Sequence, residues 1–471
     1  MVFSSNIFLY CFFPSVFLIY WIIPKRFNNY VLLASSLFFY LWDEGILTCI
    51  LIVSISINYL SAIEIERRKS RIVLWLSIFL NLSILFFFKY FDFAFRNIQA
   101  LFFSNTSTSI FENYRISLPI GISFFTFQGI SYLVDVNRGI IKANKKISNV
   151  ALYISFFPQL IAGPIVRYVD IQKQLDNRNV NIDDFVIGLR RFAFGLGKKV
   201  LIADSVGLIA DSIFALPDHR LSFTICWIAT IAFTLQIYFD FSGYSDMAIG
   251  LARIFGFRFN ENFNYPYVSK SIREFWNRWH ISLSTWFKDY LYIPLGGNRK
   301  GIIHTYINLL IVFILCGFWH GANLNFVVWG LFHGLFISIE RSFAKFFLPL
   351  NVMILNRIYV WLVVCCGWVL FRTETMHQAV TYLQLMMIPR FHYNDLMDLL
   401  FYIQYDKAFT ILLGIALSMP IGNLFNYIQN HFKGVRLSFS NLSNSFSILI
   451  LFLSCMKLST TSYNPFIYFR F

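Results

Sequence analysis

Two segments of this sequence combine side-chain types that could do chemistry. The first reads REFWNRWHISLSTWFKDYLYIPLGGNR and covers residues 273–299. If it is helical, Trp276, His280 and Ser284 fall on one stripe and form a polar seam beside an aromatic wall. An imidazole on such a seam can exchange protons near neutral pH, because its ordinary pKa is about 6.5.

The same segment also has a simpler interpretation. Glu274 and Arg278 have the i,i+4 spacing of a helical ion pair. An amphipathic helix on a membrane surface is commonly anchored by Trp and Arg, and a generic sequence with this pattern favours such a helix. The pattern alone leaves both interpretations open.

The second segment, CGFWHGAN at residues 316–323, lies inside a long uncharged run. An ionisable side chain at membrane depth is costly, which makes His320 a candidate functional residue. Gly317 and Gly321 bracket it and would let another backbone or a substrate approach closely. A histidine that only hydrogen-bonds a neighbouring helix fits equally well. His333 lies about 220° around a straight helix from His320, so we predict a structural role for it.

Two carboxylates follow an apolar run in the segment YFDFSGYSDMA, at residues 238–248. Asp240 and Asp246 lie about 240° apart on a helix, which argues against a paired acid and base. Each should face the protein interior, water or a cation such as Arg253 or Arg278. We predict a structural bracing role for both.

The elements that position these residues must be membrane helices. Of the 471 residues, 57% are hydrophobic and 13% are charged, whereas a soluble globular domain carries about 25% charged residues. One helical span needs roughly 20 apolar residues. Uncharged runs occur at 1–24, 27–42, 45–63, 72–88, 116–134, 147–166, 221–239, 301–339, 408–433 and 437–456. With shorter candidates at 358–371 and 375–389, about ten to twelve spans are expected. The 301–339 run has the length of two passages or one broken helix.

The net charge of +15 reflects basic loops rather than a nucleic-acid site, because no nucleic-acid-binding motif accompanies it. Basic clusters that begin at Lys25, Arg67 and Arg138 follow the first, third and fifth spans, so the positive-inside rule places the N-terminus outside the cytoplasm. Segments 183–215 and 270–300 carry too much charge for simple spans. For them we predict interfacial or re-entrant helices whose basic side chains reach towards water.

Motifs of several other enzyme classes are absent from the sequence. It contains no G-x-x-x-x-G-K-[ST] or G-x-S-x-G pattern, no strand-framed G-x-G-x-x-G and no H-E-x-x-H. The seven cysteines lie in apolar stretches without metal-ligand spacing. A nucleotide-driven pump and a metalloprotease therefore have no support, and we predict no metal site.

Taken together, these segments resemble the membrane-bound O-acyltransferase family. In the second segment, FWHG at residues 318–321 places its histidine forty residues after His280. Supporting stretches are LPIGISFFTFQGISYLVDVNRG at 118–139, FFPQLIAGPIVRY at 156–168 and YFDFSGYSDMAIG at 238–250. The similarity is greatest to the bacterial branch typified by the membrane protein of alginate O-acetylation.

The resemblance implies an all-α polytopic transmembrane protein, in which about ten to twelve spans and further re-entrant or interfacial helices form a ring around a central funnel. It implies one integrated membrane domain, with N-terminal spans at 1–115, a catalytic core at 116–340 and C-terminal spans at 341–471. The expected location is the bacterial cytoplasmic (inner) membrane.

Carried over by position, the resemblance makes His320 the catalytic histidine and His280 a second histidine lining the same reaction chamber. We expect His320 to act as the general base that removes a proton from an acceptor hydroxyl as it attacks a thioester. His280 would orient the substrate or stabilise the oxyanion, with Asn323, one turn beyond His320, as a hydrogen-bond partner. Further substrate contacts are expected at Trp276, Asn277, Arg278, Ser284 and Trp319.

The implied reaction is O-acyl transfer, with acetyl-CoA from the cytoplasm as the donor substrate and no tightly bound cofactor. Cations in 270–300 would attract the donor's phosphates, although positive-inside anchoring explains them equally well. The acceptor would be an extracytoplasmic polysaccharide, reached directly or through a partner acetyltransferase. Three alternatives remain: D-alanyl transfer from a carrier protein to a cell-envelope polymer; from another class, a secondary transporter or flippase, for which repeats are missing; and a purely structural or scaffold role. A scaffold role would leave both histidines dispensable.

Overall fold

The computed structural model describes residues 1–102, 116–178, 180–343, 353–389, 395–420, 439–461, 463 and 465–467. All regular elements in these ranges are helices, which confirms the all-α prediction. Six helical segments in these ranges are long and apolar enough to cross a membrane: Lys25–Arg68, Arg71–Gln99, Phe223–Ile254, Ile302–His320, Met353–Arg372 and Ser443–Thr460. The uncharged runs predict more spans, and several of them form shorter or broken helices. The second half of the 408–433 run lies outside the described residues.

Contacts divide the chain into two compact units. Unit 1 comprises Met1–Gly188, Leu251–Asn260 and Gly321–Asn323. Its helices are α1 (Phe13–Ile22), α2 (Asn28–Glu44), α3 (Thr48–Arg68), α4 (Arg71–Leu85), α5 (Phe91–Phe102), α6 (Ile122–Asn137), α7 (Ile147–Ser155), α8 (Phe157–Leu160), α9 (Tyr168–Asp176) and the first part of α10 (Ile182–Gly197). The predicted span at 147–166 is wrong, because the backbone leaves helical geometry at Phe156.

Unit 2 comprises Leu189–Gly250, Glu261–His320 and Leu324–Phe471. It contains the rest of α10 and most of α12 (Phe223–Ile254). Its other helices are α11 (Asp204–Phe214), α13 (Ile272–Arg278), α14 (Ile281–Phe287), α15 (Ile302–His320), α16 (Leu324–Ser342), α17 (Met353–Arg372), α18 (Met376–Met387), α19 (Asp395–Tyr402), α20 (Tyr405–Leu417) and α21 (Phe439–Thr460). The uncharged 301–339 run, whose length allows two passages or one broken helix, thus forms two separate helices that pack antiparallel.

Helices α15 and α16 touch backbone to backbone. A Cβ atom added at Gly317 would lie 2.1 Å from the carbonyl oxygen of Phe326, and one added at Gly330 would lie 2.1 Å from that of Phe313. Real Cβ atoms do not approach so closely, so only glycine permits this crossing. The close approach predicted for Gly317 is therefore present, and it fixes the end of α15.

Lys199 of the 183–215 segment is paired inside the protein rather than extended to water. A π-helical turn, Lys198–Ala203, joins α10 to α11. The Nζ atom of Lys199, which is 1% exposed, lies 2.5 Å from Asp204 Oδ1 and 3.1 Å from Asp240 Oδ1. The prediction that the basic side chains here reach towards water is wrong for Lys199, because its charge is neutralised by buried carboxylates.

The two aspartates of α12 have cationic partners other than those suggested by the sequence. Asp240 binds Lys199 and also accepts a hydrogen bond from the backbone N–H of Ile467 at 2.9 Å. Asp246 Oδ2 lies 2.6 Å from Lys198 Nζ, and its Oδ1 lies 2.8 Å from Arg191 Nη2. These contacts support the bracing role.

The cations suggested from the sequence, Arg253 and Arg278, have other partners. Arg253 pairs with Asp184 and Arg278 pairs with Glu274, each at 2.9 Å. The second of these pairs confirms the i,i+4 spacing. The named partners of Asp240 and Asp246 were therefore wrong, because both arginines are neutralised by nearer carboxylates.

Replacing Lys199 with methionine is expected to destabilise the protein strongly. The change leaves two buried carboxylates, Asp204 and Asp240, without their cation, and breaking a buried pair in this way typically costs about 3–5 kcal/mol. Thermal unfolding of the detergent-solubilised protein checks this. The triple variant K199M/D204N/D240N should recover part of the loss. Equal melting temperatures for wild type and K199M would contradict the prediction.

Candidate active site

His320 is the last residue of α15, and aromatic rings surround it. Its ring centroid lies 5.0 Å from that of Trp319, 5.2 Å from that of Trp329 and 5.3 Å from that of Phe371. The side chain is buried, with 5% of its surface exposed. Such an environment excludes water from the imidazole and strengthens any electrostatic contact that the imidazole makes.

His280 lies at a break in the chain rather than on a continuous helix. Helix α13 ends at Arg278 and α14 begins at Ile281, while His280 itself has the left-handed values φ 43° and ψ 54°. The predicted stripe of Trp276, His280 and Ser284 is therefore wrong. A non-glycine residue rarely adopts this conformation, and it persists only where surrounding contacts hold it.

Those contacts come from Asn262, which is fully buried. Its backbone carbonyl accepts from the N–H of Ile281 at 2.9 Å. Its side-chain Oδ1 accepts from the backbone N–H of Ser282 at 3.2 Å and from the Ser282 hydroxyl at 2.8 Å, and it lies 3.2 Å from Nδ1 of His280. One asparagine thus fixes both the bend in the backbone and the ring of His280.

This arrangement favours one tautomer of the His280 ring. The backbone N–H of Ser282 can only donate, so the amide atom facing it is the oxygen, and this oxygen at 3.2 Å favours the tautomer in which Nδ1 of His280 carries the proton; the Ser282 hydroxyl lies 3.4 Å from the same nitrogen. Nε2 is left with its lone pair. Burial lowers the pKa of His280 to about 3, so the ring is neutral at physiological pH. In this tautomer Nε2 is an acceptor, which suits orientation of an acceptor hydroxyl.

Trp319 joins the two histidines. Its ring centroid lies 6.2 Å from that of His280 and 5.0 Å from that of His320. Residues from two separate sequence segments therefore meet on one indole ring. Phe241 of α12 closes another side of His280, at a centroid distance of 4.6 Å.

His333 belongs to the same aromatic cluster as His320. Both imidazoles lie 5.2 Å from the ring of Trp329. The prediction that they occupy different faces assumed one straight helix, whereas α15 ends at His320 and α16 begins only at Leu324. Asn323 lies in this break, so the expectation that it stands one helical turn beyond His320 is also wrong.

A cavity of about 640 Å³ opens beside α13 in unit 2. Three of the residues predicted to contact substrate line it, namely Trp276, Asn277 and Ser284. Neither His280 nor His320 is among its described lining residues. Trp276 connects the cavity to the histidine cluster, because its ring lies 5.6 Å from that of Trp329.

Charged side chains line the cavity, and one of them, the buried carboxylate of Glu340, holds part of its wall in place. Lys270, Arg273, Lys288 and Arg341 line it together with Glu274 and Glu340. Glu340 accepts hydrogen bonds from the backbone N–H groups of Ile272 and Arg273, at 2.5 and 3.1 Å. A carboxylate at a helix N-terminus satisfies donors that have no partner within the helix. Glu340 thereby holds the start of α13 against α16.

The other predicted substrate contact in this region, Arg278, makes contacts within the protein. Its Nε donates to Glu274 at 2.9 Å and its Nη1 donates to the carbonyl oxygen of Asn264 at 3.0 Å. Sequence reasoning missed Asn262, Trp329 and Phe371, which shape the surroundings of both histidines. None of the three carries a motif signal, and only contacts between distant segments bring them to the site.

Comparison with known proteins places these residues in a family context. A model described as MBOAT, membrane-bound O-acyltransferase family, matches residues 145–377. The chain is 38% identical to the "Probable alginate O-acetylase AlgI" of Azotobacter vinelandii over 100% of both chains. It is 36% identical to the "Peptidoglycan O-acetyltransferase" of Helicobacter pylori, over 82% of this chain and 79% of that protein. It is 28% identical to the "Teichoic acid D-alanyltransferase" of Bacillus subtilis, over 55% of this chain and 69% of that protein.

The matched range contains both histidines, Trp319 and the cavity-lining residues of α13. The 38% identity extends over the full length of the chain and is not confined to the motif segments. The apolar helices agree with a membrane location. This chain therefore belongs to the membrane-bound O-acyltransferase family and is a multi-pass membrane O-acyltransferase.

Proposed function

We propose that this enzyme transfers acetyl groups from cytoplasmic acetyl-CoA towards hydroxyls of an extracytoplasmic polysaccharide, and that it works in the bacterial cytoplasmic membrane. The observation that carries the proposal is the meeting of His280 and His320 on the buried indole of Trp319. The relatives named for alginate and peptidoglycan O-acetylation support a polysaccharide acceptor. The acetyl group reaches it directly or through an extracytoplasmic partner acetyltransferase.

In this mechanism His320 is the general base. As the acceptor oxygen forms a bond to the thioester carbonyl carbon, the hydroxyl proton moves to the His320 imidazole. The tetrahedral intermediate then collapses, the carbon–sulfur bond breaks, and the departing thiolate of CoA takes the proton back. His280, with its Nε2 lone pair, accepts a hydrogen bond from an acceptor hydroxyl and orients it.

The charge on the cavity wall supports a phosphate-bearing donor. Lys270, Arg273, Lys288 and Arg341 outnumber Glu274 and Glu340 there. A cleft with one prevailing sign of charge raises the local concentration of an oppositely charged substrate. The acyl group of the donor would then lie towards Trp276, through which the cavity adjoins the histidine cluster.

Radiolabelled donors in isolated membranes test the proposal. Membranes that contain the wild-type protein should transfer label from acetyl-CoA to polysaccharide or to an extracytoplasmic partner, and membranes with H320A at equal abundance should not. Transfer of carrier-bound D-alanine in place of acetyl would favour the D-alanyl transferase function, which the similarity to the Bacillus subtilis protein makes a second candidate. Substrate counterflow that survives H320A would favour a transporter.

The orientation predicted by the basic clusters can be tested separately. A reporter fused after residue 69 follows the cluster Arg67, Arg68 and Lys69 and is expected to lie in the cytoplasm. Labelling of intact cells with an impermeant reagent should therefore not reach it, whereas permeabilised cells should be labelled. External accessibility of this reporter would contradict the orientation.

A further inference from the structure

A second polar cavity, of about 670 Å³, lies in unit 1 at the turn between α1 and α2, beside α9. Lys25, Arg26, Lys146 and Arg178 line it, and Asp176 is the one acidic side chain among its described lining residues. The remaining polar groups on its wall are mainly neutral amides and hydroxyls. The cavity is therefore strongly positive and has no part in the chemistry described above.

Arg178 is held rigidly on this wall by neutral groups. Its Nε donates to the carbonyl oxygen of Phe255 at 3.0 Å and to the hydroxyl of Tyr20 at 3.2 Å, and its Nη1 donates to Oδ1 of Asn29. The guanidinium also lies 4.4 Å above the centre of the Phe257 ring. Cation–π contact and several hydrogen bonds fix a planar guanidinium in one orientation.

No described carboxylate neutralises Arg178. Every hydrogen-bond acceptor that it reaches is an uncharged oxygen, and its Nη2 has no hydrogen-bond partner among the described residues. A preorganised guanidinium without a counter-charge, surrounded by three further cations, favours a planar oxyanion, and phosphate matches its geometry. This combination points to an anionic ligand rather than to simple anchoring of a loop.

The surroundings of the cavity indicate where that phosphate comes from. Helix α1, which ends at Ile22, belongs to an apolar helical segment, and Trp21 and Tyr30 on the cavity wall are 44% and 56% exposed. Exposed Trp and Tyr beside an apolar helix end mark the level of lipid headgroups. An adjoining cavity shares Lys146 and Asp176 with this one and adds Lys142, Lys145 and Lys173.

We propose that the cavity between α1, α2 and α9 is a binding site for the phosphodiester headgroup of an anionic membrane lipid. Arg178 contacts the phosphate, and Lys25, Arg26 and Lys146 surround it. Basic pockets between membrane helices bind anionic headgroups in this way. A zwitterionic headgroup binds less well, because its ammonium group meets the same cations.

Lipid titration of the purified full-length protein tests the site. The protein, stripped of lipid in neutral detergent, is titrated with fluorescent short-chain phosphatidylglycerol and with the matching phosphatidylcholine. We expect the wild type to prefer phosphatidylglycerol, and K25Q/R26Q/K146Q to lose at least about tenfold in affinity for it. R178Q should lose a similar factor. The triple variant changes only exposed side chains, so its result does not depend on how R178Q folds.

The matched control is R67Q/R68Q, which removes exposed basic residues paired with Glu64 outside the cavity. This variant should bind phosphatidylglycerol as the wild type does. Coenzyme A and inorganic phosphate are added as competitors. Displacement of the lipid by either at a concentration equal to that of the lipid would overturn the lipid assignment in favour of a soluble phosphate compound. Equal affinity for the two lipids, or unchanged affinity in K25Q/R26Q/K146Q, would overturn the site itself.

Discussion

Replacing His320 with alanine is expected to reduce acyl transfer by about 10²–10⁴-fold, the contribution typical of a general base. The acceptor hydroxyl would lose the group that takes its proton, while binding of donor and acceptor would change little. The measurement is the initial rate of label transfer in membranes, normalised to the amount of folded protein. The loss should appear in kcat rather than in KM.

His333 provides a matched control for this variant. It is another buried imidazole at 5.2 Å from Trp329, so H333Q imposes a similar packing change on the same aromatic cluster. H320Q, which keeps much of the volume of His320, should remain as inactive as H320A, and H333Q should retain most of the activity. Equal losses in H320Q and H333Q would show that packing, not proton transfer, explains the effect.

Replacing Asn262 with alanine is expected to lower kcat by about 10²-fold without removing either histidine, because a displacement of about 1 Å at a catalytic group has effects of that size. Alanine removes the oxygen that receives the His280 ring, the Ser282 amide and the Ser282 hydroxyl. Steady-state kinetics of label transfer measure the change. The control is N81A, which deletes a buried amide that bonds Asn58 and Ser77 within α3 and α4. N81A should cost stability and leave kcat largely intact.

The conservative variant N262D distinguishes positioning from simple packing through its pH profile. Aspartate keeps an acceptor oxygen at the same place but adds a negative charge beside Nδ1 of His280, which raises the histidine pKa above the value of about 3 set by burial. A raised pKa means that His280 becomes protonated at a higher pH than in the wild type and loses the Nε2 lone pair there. Activity of N262D should therefore fall on the acid side at a higher pH. An acid limb identical to that of the wild type would contradict the role of Asn262.

The sequence, through its family resemblance, was sufficient to predict that His280 and His320 lie in one region, and the length of the 301–339 run allowed for two helices there. The imidazole of His320 lies in an uncharged run with a glycine on either side. These are features of neighbouring residues, so a single sequence is enough to recognise them. The bend at His280 could not be predicted. It depends on Asn262, eighteen residues earlier, and a left-handed histidine contradicts the helical spacing of its own segment.

The burial of charged residues in the 183–215 segment could not be predicted from the sequence either. Lys199 carries no local sign that it is buried, and the composition of its helix suggests an interfacial location. Its partner Asp240 lies forty-one residues further along the chain, on α12. Ion pairs between helices depend on how the helices pack. The charge pattern of a single helix therefore predicts that a charged residue such as Lys199 is exposed to water.

The contact of Gly317 with Gly330 packs the backbones of α15 and α16 so closely that the two helices must move together. A methyl group at either position has no room and would have to push the two backbones apart. Gly317 lies three residues before His320, and Gly330 directly follows Trp329, so the same displacement would shift the imidazole and its aromatic wall together. The geometry of the proposed catalytic centre thus depends partly on the lack of a side chain at Gly317 and Gly330. Substitution of either glycine would alter catalysis without changing any side chain that meets the substrate.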